Sequence, residues 1–409
     1  MNAILRVSEV RPPQTEAKPP ILYFMSNELR IAFTGGGTGG HVYPLFAVAD
    51  EVRHILDPHF TARPYKLFYF GDTGSYRQEF VSRSIKVVHI GASKFRRYMS
   101  VLNIVDAIKF PFVLVQAVSK FFFVMPDALF SKGGTGAFPV VFAAWLFRVP
   151  VLIHESDTVP GLTNSLSAKF STRVAVAFEK SAESFSGKKV AVVGNPIRAD
   201  LIRGSEDGDL SVEQAKRVLG FDPKFPLVLI MGGSQGSRRV NDFILDNAQG
   251  LVRKYQVLHQ TGADNFESCK HELNLALEEC MPEEKQRYKI APFLKKEMKQ
   301  AYEACDVIVS RAGSGAIFEA AYFAKPSVLI PLPEAGRNHQ YYNAFEYASR
   351  GAAAVIEEEN LKPALFFDQV DRILSKKETY TSMSEAARSF QTPHAAAMIA
   401  DEVVRLAVE

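Results

Sequence analysis

Arg30-Ile-Ala-Phe-Thr-Gly-Gly-Gly-Thr-Gly-Gly-His-Val-Tyr-Pro44 is the stretch on which the fold turns. Residues 30–34 read as a short apolar strand and 35–41 as a glycine loop, and 44–56 carries the pattern of a helix. A strand that empties through glycines into a helix opens a βαβ unit. Working outward, further strand-like runs lie at 67–70, 87–90, 128–131, 149–154 and 174–177, most of them separated by helical stretches. Such alternation implies a parallel, doubly wound sheet.

The pattern then restarts. Leu227-Val-Leu-Ile-Met231 is a second apolar strand, Gly232-Gly-Ser-Gln-Gly236 a second glycine loop, and a helix is expected from about Val240. Strands at 257–260, 289–291, 307–310, 327–331 and 353–356 follow. The chain is therefore read as two Rossmann-like α/β domains, 29–193 and 194–390, with a ligand cleft at the carboxyl ends of the strands. Residues 391–409 read as a C-terminal helix: Thr392 caps it, Pro393 takes its first position, and Met398, Ile399, Val403 and Leu406 form an apolar stripe. Residues 1–28, with Arg6, Arg11 and paired prolines but no apolar run of leader length, are expected to be a disordered extension.

Composition narrows the function classes. Of the 409 residues 47% are hydrophobic and 23% charged, which excludes a mainly disordered chain. A net charge of only +3 argues against wholesale nucleic-acid binding. Cys269, Cys280 and Cys305 are odd in number and lack CxxC spacing, so neither a disulfide framework nor a zinc site is expected. No charge-free apolar run approaches the ~18 residues of a membrane span.

Three glycine-rich loops, at Gly35, Gly133 and Gly232, each follow an apolar strand. Glycines bring backbone N–H groups close to a ligand, and a following helix adds partial positive charge, which suits phosphate. No Gly-Lys-Ser/Thr completes a P-loop, and no acidic residue closes a second strand as a nicotinamide site requires. Other polar groups stand at strand ends or helix starts: His154 and Glu155, Arg198 in Gly194-Asn-Pro-Ile-Arg198, Glu319 after Ser310-Arg-Ala-Gly-Ser-Gly315, and Gln340 after Pro331-Leu-Pro333. Taken singly, each reads equally well as a solvated loop or helix residue.

Together the segments GGGTGGHVYP, HESDTVPGLTN, GNPIR, GGSQGS, SRAGSGAIFE, AKPSVLIPLP and HQYYNA, in this order, resemble the MurG-type peptidoglycan glycosyltransferases. The resemblance runs from about Arg30 to the C-terminus. It implies a GT-B fold with the final helix returning to the N-terminal domain. It also implies an inverting transfer of N-acetylglucosamine from UDP-N-acetylglucosamine to lipid I, the undecaprenyl-diphosphate-linked muramoylpentapeptide, for cell-wall synthesis. The donor would meet Thr38, Gly39, Gly40, Asp157, Arg198, Ser234, Leu294, Ser314, Gly315, Ala316, Ile317, Phe318, Glu319 and Gln340. Arg198 and Ser234 would serve the diphosphate, Leu294 the uracil, Glu319 the ribose and Gln340 the sugar. His41 is read as the general base or a contact to the acceptor diphosphate, ahead of Glu155.

Asp157 departs from the asparagine common in relatives, and the middle loop lacks their tyrosine and serine. With no Asp-x-Asp pair beside the loops, no metal or other cofactor is assigned. The resemblance further implies a peripheral protein on the cytoplasmic face of the bacterial inner membrane, with cell-wall synthesis and division proteins as partners. Consistent with an anionic surface, Lys94, Arg96, Arg97, Lys109 and Lys120 outnumber Asp106 between 94 and 124, among Phe95, Tyr98, Phe110, Phe112, Phe121, Phe122 and Phe123.

Overall fold

The computed structural model describes residues 28–57, 63–91, 101–185, 187, 189–202, 210–233 and 235–409, with side chains described from 108 onward in the third of these segments. The extension read over 1–27, Ser234 and the basic residues Lys94, Arg96 and Arg97 lie outside them. Glu28, read as the end of that extension, is described and pairs with Lys66, its Oε2 accepting from Nζ at 2.8 Å.

The chain divides into two compact units, Met1–Pro196 with His394–Glu409, and Ile197–Pro393. The first unit is built on seven parallel strands: β1 (Leu29–Thr34), β2 (Tyr65–Phe70), β3 (Ile85–Val88), β4 (Ala128–Ser131), β5 (Val151–Glu155), β6 (Arg173–Val176) and β7 (Lys189–Val192), in the order β3-β2-β1-β4-β5-β6-β7. β7 is not among the expected strands. Its partly exposed Lys-Val-Ala-Val sits on the sheet edge, where pairing with β6 rather than a long apolar run makes it a strand.

Strand residues alternate between two buried faces, as a sheet covered on both sides requires. Ile31 and Phe33 of β1 join Leu67, Phe130 and Leu152 on one face, packed on Val42, Phe46 and Val52 of the Gly39–Ile55 helix. Ile399, Val403 and Leu406 of the Ala395–Val408 helix complete that layer. Ala32, Phe70, Leu129 and Ile153 form the other face against Phe121 and Val140. The C-terminal helix begins later than expected: His394, not Thr392, takes the cap position.

The second unit repeats the plan on six parallel strands, β8 (Leu227–Met231), β9 (Gln256–Gln260), β10 (Tyr288–Ala291), β11 (Val307–Ser310), β12 (Ser327–Leu329) and β13 (Ala353–Val355), ordered β10-β9-β8-β11-β12-β13. Val228, Ile230, Val257, Val307 and Val309 pack on Val240, Ile244, Phe366 and Val370.

These two orders locate the chemistry. Connections leave β1 and β4 in opposite directions, and likewise β8 and β11, so the loops beyond their carboxyl ends part and leave a crevice. Thr34 pairs with Ser131 and Met231 with Ser310, which brings each glycine loop beside a second loop of its own unit.

Candidate active site

In the first unit the loops after β1 and β4 interlock. Lys132 N–H donates to Thr34 O at 2.9 Å. Gly134 has φ +88°, and a Cβ there would lie 2.8 Å from Gly36 N and 3.1 Å from His41 Nε2, so only glycine fits. The helix begins at Gly39, five residues before the expected start, so Gly39, Gly40 and His41 form its first turn and Pro44 lies inside it. Thr38 occupies the cap position but does not cap; its hydroxyl is 3.0 Å from His41 Nδ1. The His41 ring is thus held by Thr38 beside Gly134.

Glu155 was expected as a strand-end carboxylate facing a ligand. It is instead buried and committed to its own loop. Oε1 accepts from Asp157 N–H at 2.9 Å, and Oε2 from Gly161 N–H and Asn164 Nδ2, both at 3.0 Å. Burial raises its pKa, and Asp157 adds to the rise. His154 is also buried, with Nε2 2.9 Å from Gly194 O. Burial and then the neighbouring Lys132 depress its pKa well below the usual histidine range. Lys132 is the group that sequence reading passed over. It is 2% exposed and its Nζ finds no hydrogen-bond partner among the described residues. Burial lowers its pKa to about 8, against the opposing pull of Glu155 and Asp157.

The second unit gathers Arg198, Leu294, Ser314–Glu319 and Gln340 on loops and helix starts. The Ser314–Tyr322 helix follows the β11 loop, with Gly313, which has no side chain, as its cap. Gly315 and Ala316 occupy its first turn. Ile317 and Phe318 are core residues, Phe318 packing on Phe390, so any ligand contact from them is through the backbone. Glu319 Oε2 accepts from Tyr302 Oη at 2.7 Å. Burial raises the Glu319 pKa, and Arg198 and the Tyr302 bond oppose the rise. Leu294 was expected to offer its backbone to a base, but its N–H donates to Gln260 Oε1 at 2.9 Å. Gln340 Oε1 accepts from Leu332 N–H at 3.0 Å.

The two glycosyltransferase family 28 domain models match the chain, the N-terminal one over residues 31–176 and the C-terminal one over 227–399. The UDP-N-acetylglucosamine–N-acetylmuramyl-(pentapeptide) pyrophosphoryl-undecaprenol N-acetylglucosamine transferase of Clostridium kluyveri is 33% identical, over 88% of this chain and 95% of its own length. The chain belongs to the MurG-type N-acetylglucosaminyltransferases. Its fold is shared by the crystal structure of Acinetobacter baumannii MurG, with a TM-score of 0.69 and 23% identity over 92% of this chain and 99% of that one. A UDP-GlcNAc 2-epimerase from Neisseria meningitidis has the same architecture, with a TM-score of 0.62 and 15% identity over 92% and 100% of the two chains.

Within this MurG-type site, two supporting residues were missed in addition to Lys132. Tyr302 lies on the Met298–Ala304 helix, where its sequence neighbours say nothing of Glu319. Arg311 was quoted within a motif without a role. Its Nη2 donates to Ser237 Oγ at 2.7 Å and its Nη1 to Ile330 O at 3.2 Å and Pro331 O at 3.3 Å, and it pairs with Glu358. One buried guanidinium thus ties together the ends of three loops. An arginine directly after a strand and two residues before a glycine was the only signal available.

Proposed function

We propose that the chain transfers N-acetylglucosamine from UDP-N-acetylglucosamine to the 4-hydroxyl of the muramoyl sugar of lipid I, yielding lipid II. The observation that carries this is the likeness to a transferase of that name over nearly the full length of both chains. The second unit takes the donor. Glu319, held by Tyr302, accepts the ribose hydroxyls. The uncapped amides of the Ser314–Tyr322 helix and Arg198 take the diphosphate, the helix start contributing about half a positive charge. With its oxygen on Leu332, Gln340 donates to the sugar through its amide nitrogen. Leu294 meets the base through its carbonyl, its N–H being engaged. Ser234 and Asp157 are assigned to the donor as the resemblance has them.

The first unit takes the acceptor. The C1–O4 bond forms as the bond from C1 to the phosphate oxygen breaks, UDP leaves with the electron pair, and the hydroxyl proton passes to His41. To act through Nε2, His41 carries its own proton on Nδ1 and donates it to Thr38 Oγ1. Gly134 leaves room at Nε2. The single in-line displacement turns the α-linked donor into a β-linked product. Glu155 holds the 155–161 loop and so positions the site rather than taking the proton.

No helix among the described residues is long and apolar enough to cross a membrane. Ile108, Phe112, Val115 and Phe122 recur at helical spacing along the Val101–Val124 helix and are exposed, as is Phe123 at 79%, whereas Phe121 is core. We assign this apolar face, with Lys109 beside it, to peripheral contact with an anionic bilayer, where the acceptor resides. Cell-wall synthesis and division proteins are its partners on this reading.

The test is release of UDP with and without a soluble lipid I analogue, with the product identified by mass. Acceptor-dependent release and a disaccharide product support the reading. Acceptor-independent consumption of UDP-N-acetylglucosamine would favour an epimerase instead.

A further inference from the structure

Arg198 is the cation of the second unit's ligand group, and it is already engaged by a carboxylate. Nε donates to Asp200 Oδ1 at 3.1 Å and Nη2 to Oδ2 at 2.6 Å, while Nη2 also reaches Lys295 O at 3.2 Å. The pair is lopsided: the Arg198 side chain is 7% exposed and that of Asp200 is 58% exposed. The guanidinium is held by its surroundings, whereas the carboxylate can turn into water by rotating one side chain. Glu319 feels both groups, Arg198 stabilising its charge and Asp200 opposing it. Asp200 thus holds the guanidinium directly while Glu319 feels its charge through space, and an incoming diphosphate adds further negative charge. Glu319 is anchored by Tyr302. Asp200 is the carboxylate with freedom to leave.

Carboxylate and phosphate oxygens accept the same planar guanidinium fork. We propose that Asp200 is an intramolecular competitor for the nucleotide diphosphate: it holds the Arg198 fork, yields it when a phosphate arrives, and takes it back as UDP departs. The inference rests on the reading of Arg198 as a diphosphate ligand. Its consequence is that Asp200 lowers nucleotide affinity and speeds UDP release, the reverse of what an orienting partner of Arg198 would do.

The experiment is calorimetric titration of Asp200→Asn, Asp200→Ala, Arg198→Met and the parent chain with UDP and with uridine. Removing a partly exposed ion pair should tighten UDP binding about fivefold in both Asp200 variants. Uridine affinity should stay as it was, and stopped-flow displacement should show slower UDP departure. UDP affinity that falls or does not change in the Asp200 variants overturns the proposal. Arg198→Met tests the reading beneath it. If that change leaves the ratio of UDP to uridine affinity where it was, Arg198 does not meet phosphate at all. If the ratio collapses there but the Asp200 variants fail to tighten, the competitor idea alone is lost.

Discussion

Replacing Lys132 by methionine should stabilise the first unit at neutral pH. The ammonium is buried without a hydrogen-bond partner among the described residues, and burial lowers its pKa from 10.5 to about 8. At 1.36 kcal/mol per pKa unit, a gap of about 2.5 units makes the protonated group cost the fold roughly 3 kcal/mol. Below pH 8 both the folded and unfolded chains keep the proton, so the cost is present in full. Between about 8 and 10.5 the unfolded chain binds more protons than the folded one, and stability rises with pH. Above 10.5 both forms are neutral and the cost is gone. A methionine of similar length carries no such term, so the advantage of the variant should be about 3 kcal/mol at pH 7 and close towards zero by pH 10.5. Urea unfolding followed by tryptophan fluorescence measures it cleanly, because Trp145 is the single tryptophan and lies in the same unit. A variant less stable than the parent at pH 7, or a difference that does not vary over this pH range, would refute the reasoning.

Other expectations follow from the same geometry. His41→Ala should lose on the order of 10²–10⁴ in kcat on a lipid I analogue while calorimetric donor affinity is retained; retained kcat would remove His41 as the base. Glu155→Gln places an amide where three N–H donors converge, so a drop of about 1–3 kcal/mol in first-unit stability should accompany any loss of rate. Glu319→Ala should raise donor KM about tenfold or more, and Tyr302→Phe should raise it by a smaller factor by freeing the Glu319 carboxylate; an unchanged KM in the first variant takes Glu319 out of the nucleotide site. In flotation with anionic vesicles the protein should rise at low salt and less so at high salt, and Phe112→Ser with Phe123→Ser should leave it at the bottom.

Apolar runs closed by glycines are a local property, and the sequence alone was enough to place β1, β4, β8 and β11 and the loops after them, because parallel strands buried on both faces must be continuously apolar. The same signal misses β7, whose Lys189 and half-exposed valines are made a strand by pairing with β6. One helix start was also misjudged: Pro44 looked like a first-turn residue, yet the helix begins at Gly39, where the glycine loop already supplies helical backbone. Position beside a loop or helix start made His41, Arg198, Glu319 and Gln340 candidates, and the family resemblance supplied the donor roles expected of the last three. Some partners are near neighbours, Thr38 of His41 and Asp200 of Arg198, whereas others come from farther along the chain. Tyr302 comes to Glu319 across 17 residues, Gln260 to Leu294 across 34, and Asn164 to Glu155 across 9 with a turn between. Whether a carboxylate such as Glu155 faces ligand or locks its own loop depends on how many donors converge on it. Whether Lys132 is an exposed cation or a buried one depends on the strands packed beside it. Local sequence therefore determined the elements and the residue types at their ends, while the packing of distant segments buried Lys132 and Glu155 and brought Tyr302 to Glu319 and Gln260 to Leu294.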